Sequence, residues 1–181
     1  MLWRNSLIML DRETETWWSH ITGRALKGPH QGTQLQVLDS VQTRWEDWYR
    51  AHPDTTLLKK SEEVRSSHYQ KYFDNPDRMG LFRAQWLHEQ MAGKTLVYGA
   101  TLGPHAVAVT EEAFAAGEPI TVDLGGRSVV FNRAADGGVR AHIRSAAGSE
   151  SKQESIPVTP VFWFAWSNFY PNTQVIGGGG G

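Results

Sequence analysis

Asp11, Arg12, Glu13 and Glu15 fall within five residues of one another, and Trp18 and Ser19 follow directly. Carboxylates beside a guanidinium can hold a negative charge at neutral pH or pass a proton, and an indole next to them can shape a binding surface. Asp11, Arg12 and Ser19 are therefore candidate catalytic residues of a composite polar site, and Trp18 is a candidate ligand-binding residue. The plainer reading of the same run, and the favoured one, is a charged hairpin turn with an Asp–Arg pair.

A second pattern is aromatic. TRWEDWYRAHPDT at 43–55 and PVFWFAWSNFYPNT at 160–173 share the order W-x-x-W-x-x-x-x-P-[DN]-T, so that Trp45, Trp48, Pro53 and Thr55 match Trp163, Trp166, Pro171 and Thr173. Eight tryptophans are many for 181 residues, and indole faces can stack on sugars or other flat ligands. Trp48 and Trp166, on helices facing a groove between two halves, are candidate ligand-binding residues. The structural reading is that both helices close their sheets with core side chains, and proline and threonine at fixed offsets support it as helix-stop grammar.

Other chemistries find little support. There is no cysteine, which removes disulfides, thiolate catalysis and cysteine zinc sites. The histidines, His20, His30, His52, His68, His88, His105 and His142, show no i, i+4 pair of the H-E-x-x-H kind, and no metal site is assigned. Ser6 and Ser19 lack a G-x-S-x-G elbow, and the glycines at 99, 103, 125, 126, 137 and 138 form no phosphate-binding fingerprint. No cofactor is indicated. A net charge of −1 gives no field for nucleic acid, and no run approaches the roughly 18 apolar residues of a membrane span. The start MLWRNSLIML lacks the features of a signal peptide, and the compartment stays open.

The elements that must position these residues are mostly strands. Leu7–Leu10 suits a buried strand, 11–15 a turn, 16–21 a return strand, and 33–38 a half-buried strand with Leu35 and Val37 on one face. Thr43 with Glu46 predicts a capping box for a helix that Pro53 stops; in the second copy Thr159 predicts a cap, Pro160 the first helical position and Pro171 the stop. Thr56–Leu58 is expected to be extended, 59–72 a surface connection or loose helix, and Asn75-Pro76-Asp77 a turn. A hairpin is expected at 95–101 and 106–110, a short helix at 111–116, a three-strand meander through 120–124, 128–132 and 139–143, and a polar loop at 146–155. Gly177–Gly181 is expected to be a flexible tail.

These motifs resemble a bacterial family known as domain of unknown function 3179. The likeness is carried by Trp3-Arg4-Asn5-Ser6, Met9-Leu10-Asp11-Arg12-Glu13-Thr14-Glu15, Trp18-Ser19, Thr22-Gly23-x-Ala25 and Gly28-Pro29-x-x-Gly32-Thr33-x-Leu35. It continues in Thr43-x-Trp45, His52-Pro53-Asp54-Thr55, Phe162-Trp163-Phe164-Ala165-Trp166 and Phe169-x-Pro171-x-Thr173, and so spans nearly the whole chain. The resemblance implies a Cys-Pro-x-Cys segment upstream of where this sequence begins, an obvious redox or metal centre. This chain is accordingly expected to be the C-terminal part of such a protein, or a version without that centre.

The expected fold is α+β and β-rich: two related antiparallel-sheet halves, each closed by a short Trp-bearing helix. The halves are expected at 1–58, truncated at its start, and 93–176, joined by 59–92. The leading expectation for function is a non-catalytic structural or ligand-binding module. The alternatives are an enzyme with a composite site around Asp11, Arg12 and Trp18, or carbohydrate binding through exposed tryptophans. Candidate partners are a small molecule or carbohydrate, and an upstream domain or second copy covering exposed sheet edges.

Overall fold

Alternating small and β-branched residues set up the core of the chain. In a computed structural model, which describes residues 1–58, 69–80, 88–144 and 154–178, Leu96–Leu102 (β5) and His105–Thr110 (β6) form an antiparallel hairpin across Gly103 and Pro104. Residues 59–68 of the connection expected at 59–72, His68 among them, most of the polar loop at 146–155 and the last three glycines lie outside the described residues.

The first residues build a separate four-stranded sheet from Leu2–Trp3 (β1), Ser6–Leu10 (β2), Trp17–Ser19 (β3) and Ala25–Lys27 (β4), in that order. Trp3 pairs with Ser6, so Arg4 and Asn5 make a two-residue turn with φ of 50° and 62°. Such turns need positive φ at both central residues, an unusual conformation for arginine. Its side chain holds the turn in place: Arg4 donates to the Asn168 carbonyl at 2.9 Å and lies over the rings of Trp3 and Phe169. The burial expected for Leu7–Leu10 does not occur. The strand forms, but Leu7 and Met9 on one face and Leu10 on the other stay exposed, because no second layer covers them. The strand expected at 33–38 is also absent; a single bridge joins Arg24 and Gln34, and Leu35, Val37 and Leu38 are exposed. Alternation alone forms no strand without a neighbouring ladder to bond to.

Two short helices follow, Trp45–Ala51 (α1) and Gln70–Phe73 (α2). After β6 and a 3-10 turn at Glu111–Phe114 comes the meander, Ile120–Leu124 (β7), Arg127–Arg133 (β8) and Val139–Ile143 (β9). Glu154–Ile156 (β10) extends it, giving the order β10-β9-β8-β7. Thr159–Phe162 (β11), Trp163–Phe169 (α3) and Gln174–Ile176 (β12) complete the chain. β11 and β12 flank the hairpin as β11-β5-β6-β12, and β12 runs parallel to β6, the one departure from antiparallel pairing among the described residues.

The fold is thus α+β and β-rich, with three sheets dominated by antiparallel pairs and few short helices among the described residues. The β5–β6 hairpin is its middle layer, because successive side chains point to opposite faces. Tyr98, Ala100, Val107 and Val109 pack on the meander sheet with Val129, Phe131 and Ala141. Val97 and Ala108 face the other way and pack on Trp163 and Trp166 of α3. Gly99 lies on that second face, where any Cβ would overlap the Trp166 ring.

Neither helix start follows the expected capping. Thr159 and Pro160 belong to β11, where proline is tolerated because β11 is an edge strand. The first α3 donors need no cap side chain: Trp163 N–H donates to the Thr95 carbonyl at 2.9 Å and Phe164 N–H to that of Gly93 at 2.8 Å. Thr43 donates its hydroxyl to the Asp136 carbonyl instead of capping α1, and Glu46 pairs with Arg50 at 2.8 Å. Gly99→Ala is expected to cost about 1–3 kcal/mol, since Trp166 has no space to retreat into. Urea unfolding should show a lowered midpoint at unchanged slope; an unaltered midpoint would contradict this packing.

Candidate functional site

The β2–β3 hairpin brings the first candidate cluster together. Its register pairs Leu10 with Trp17 and Met9 with Trp18, and Asp11 N–H donates to the Thr16 carbonyl at 3.0 Å to close the turn. Asp11, Arg12, Glu13, Thr14 and Trp18 then line an open depression of about 570 Å³ with His30, which stacks on Trp18 at 6.2 Å between centroids.

The Asp11 carboxylate is heavily committed. Oδ1 accepts from Glu13 N–H at 3.0 Å and Thr14 N–H at 2.8 Å; Oδ2 accepts the Thr14 hydroxyl and the Trp18 indole N–H, the latter at 3.3 Å. An ionised carboxylate offers about four lone-pair sites, so none is left for a substrate proton or a cation. The Thr14 hydroxyl, followed by the Thr14 backbone N–H, holds the Asp11 carboxyl down at about 2, from an ordinary 3.8. A base poised near neutrality needs the opposite shift. Arg12 extends into solvent on the rim. Ser19 is buried behind the sheet and accepts Thr22 N–H at 3.2 Å, outside the depression.

The aromatic candidates fall on two helices of matching internal geometry. Trp48 donates its indole N–H to the Thr55 hydroxyl at 3.0 Å, and Trp166 donates to Thr173 at 3.1 Å. Trp48 sits 4.1 Å from His52 at 38°, and Trp166 sits 4.2 Å from Tyr170 at 36°. His52 N–H and Tyr170 N–H each close the last helical turn on the tryptophan carbonyl, at 2.8 and 3.0 Å. Each helix and the threonine after its proline therefore form one locked unit. Their surroundings differ. Trp163 and Trp166 are 1% and 2% exposed, whereas α1 buries no residue and Trp45 is 50% exposed. Trp48 faces a cavity of about 520 Å³ with His52, Val139 and Arg140.

Two polar clusters had no clear mark in the sequence. Tyr98 donates to Glu111 at 2.6 Å, Arg133 donates to the same carboxylate at 2.7 Å, and the guanidinium lies over the Tyr98 and Phe114 rings. Burial, then the Glu111 bond, pushes the Tyr98 hydroxyl up. Asp136 takes both Arg140 nitrogens, at 2.8 and 2.5 Å, and this pairing holds its carboxyl near about 2. The packing of the meander on the β5–β6 hairpin brings Arg133 to Tyr98 and Glu111, and the turn between β8 and β9 brings Asp136 to Arg140. Among the described residues no group of three or more His, Cys, Asp or Glu could hold a metal ion, and no helix is long and apolar enough to cross a membrane.

Both depressed carboxylates predict acid sensitivity. A carboxyl with a folded value near about 2 stabilises the fold above its ordinary 3.8, and that contribution disappears as pH falls toward 2. Asp11→Asn should lower Tm at neutral pH and flatten its fall between about pH 4 and 2. A parallel Tm-against-pH curve would mean that Asp11 carries none of this dependence.

Neither a curated protein nor a solved structure matches the chain. A family model described as protein of unknown function (DUF3179) matches residues 1–173, nearly the full length, and the chain therefore belongs to that family.

Proposed function

We propose that these residues form a non-catalytic structural module whose polar and aromatic residues hold backbone and partner strands in place. The observation that carries this reading is the Asp11 carboxylate, whose acceptor sites are all taken by the turn it organises. The burial of Trp166 against Gly99 supports it, since an indole locked under a sheet presents no face to a ligand. On this reading Asp11, Trp18 and Ser19 shape the first sheet, and Trp48 and Trp166 close helical units.

We further propose that the chain comprises two related halves, 1–58 and 93–176. The matching indole–threonine bonds and ring pairs at Trp48 and Trp166 support that relation. An enzyme built around Asp11, Arg12 and Trp18 is the weaker reading, because Asp11 is too acidic for proton transfer near pH 7. Carbohydrate binding has one favourable observation, the exposed Trp45–Tyr49 stack at 5.7 Å and 28°.

A thermal-shift and turnover screen of the purified chain against divalent metals, sugars and nucleotides tests the proposal. The expected result is no turnover and no shift that depends on Asp11 or Arg12. Metal-dependent turnover lost in Asp11→Asn would overturn it, and a sugar-induced shift lost in Trp45→Ala would establish the carbohydrate reading instead.

A further inference from the structure

The two Trp-bearing units match beyond the helices. At the spacing that superposes Trp45 on Trp163, residues 41–44 correspond to β11 and residues 56–58 to β12. The N-cap backbones agree closely, Arg44 at φ −75°, ψ 145° and Phe162 at φ −72°, ψ 144°. So do the C-caps, His52 at φ −134°, ψ 69° and Tyr170 at φ −128°, ψ 67°. The chain thus enters and leaves both helices along the same path.

In the second unit that path brackets a hairpin. β11 pairs with β5 and β12 with β6, and α3 lies over the face where Gly99 receives Trp166. In the first unit no strand among the described residues pairs with either stretch, and Trp48 instead faces a cavity of about 520 Å³ shared with Val139, Arg140 and Ala141. Among the described residues 41–43 and 56–58 make no backbone hydrogen bond, and Trp45 and Glu46 N–H lack the partners that Trp163 and Phe164 find in Thr95 and Gly93. Leu57 and Leu58, matching the half-buried Val175 and Ile176, are 71% and 89% exposed. Trp45 and Tyr49 of α1 are exposed as well. Backbone without a ladder partner next to exposed apolar side chains is a template for strand addition.

We infer that residues 41–44, α1 and 56–58 are a docking site for a polypeptide β-hairpin of the β5–β6 kind, inserted between the two stretches. Its first strand pairs antiparallel with 41–44 and carries glycine or another minimal residue against Trp48. Its second strand pairs parallel with 56–58. The buried second unit defines this occupant, because it shows what the same backbone path and the same indole–threonine lock enclose when complete. This rests on the structural-module reading and names the partner that such a module would hold.

The test fuses a second copy of residues 93–110 to the N-terminus of the full chain through a Gly/Ser linker, so that pairing does not depend on an isolated peptide folding. Amide exchange by NMR should slow about tenfold or more within 41–44 and at Leu57 and Leu58, and the Trp45 and Trp48 indole signals should shift. A fused hairpin carrying Gly99→Val, and a fusion with the exposed Leu57→Asp in the host chain, should lose both effects. No slowing, or equal slowing with the Gly99→Val hairpin, overturns the inference. So does concentration-dependent dimerisation of the unfused chain that covers Trp45, which would make a second copy the occupant. Turnover is read separately, so failure of the structural-module reading and failure of hairpin docking give different signals.

Discussion

The contact between Trp166 and Gly99 is the constraint on which the layers around the β5–β6 hairpin depend. A strand position without a side chain lets an indole close directly onto the backbone of β5, and Trp163 fills the space beside it with Val97 and Ala108. That fixes which face of the hairpin meets α3, because a one-residue slip would turn Gly99 away and present Tyr98 or Ala100. The opposite face, with Tyr98, Val107 and Val109, is then committed to the meander sheet. One glycine thus orders three layers. The helix does not stop at burial, since its first two donors bond to Thr95 and Gly93 and its tryptophan reaches forward to Thr173.

The stretch around α1 uses the same local grammar without that partner. Trp48, His52 and Thr55 reproduce the locked helix end, yet α1 buries no residue and Trp45 and Tyr49 face outward. A seven-residue helix is too short to persist on propensity alone, so its conformation has to come from the indole–threonine bond and from tertiary contacts. Thr43 supplies one such contact at the Asp136 carbonyl, and Ser155 supplies another at Asp39. The tryptophan lock and the sheet beneath it are therefore separable.

Much of the architecture was legible in the sequence wherever a signal is local. The β5–β6 hairpin, the β7–β8–β9 meander with its glycine turns, and both helix ends before Pro53 and Pro171 follow from alternation and turn chemistry. The failures share one cause, competition from residues far away in the chain. Thr43 suits a cap but finds Asp136, and Thr159 and Pro160 suit a helix start but are drawn into pairing with β5. Leu7–Leu10 reads as a buried strand, but burial needs a covering layer that no local pattern can specify. The site divides the same way. The grouping of Asp11, Arg12 and Trp18 could be read directly, and Asp11 with Thr14 three residues on was the available sign of a side-chain-closed turn. That Trp18 would occupy the remaining acceptor site depended on the β2–β3 register.

The central claim is that the two tryptophan helices are the same locked unit, one seated on a hairpin and one open. Indole Nε1–H exchange, resolved residue by residue by NMR in the unmodified chain, tests it most directly. Slow exchange is expected for Trp163 and Trp166, fast exchange for Trp45, and an intermediate rate for Trp48, whose indole is bonded to Thr55 and only half-buried. Equal protection of Trp45 and Trp163 would contradict it.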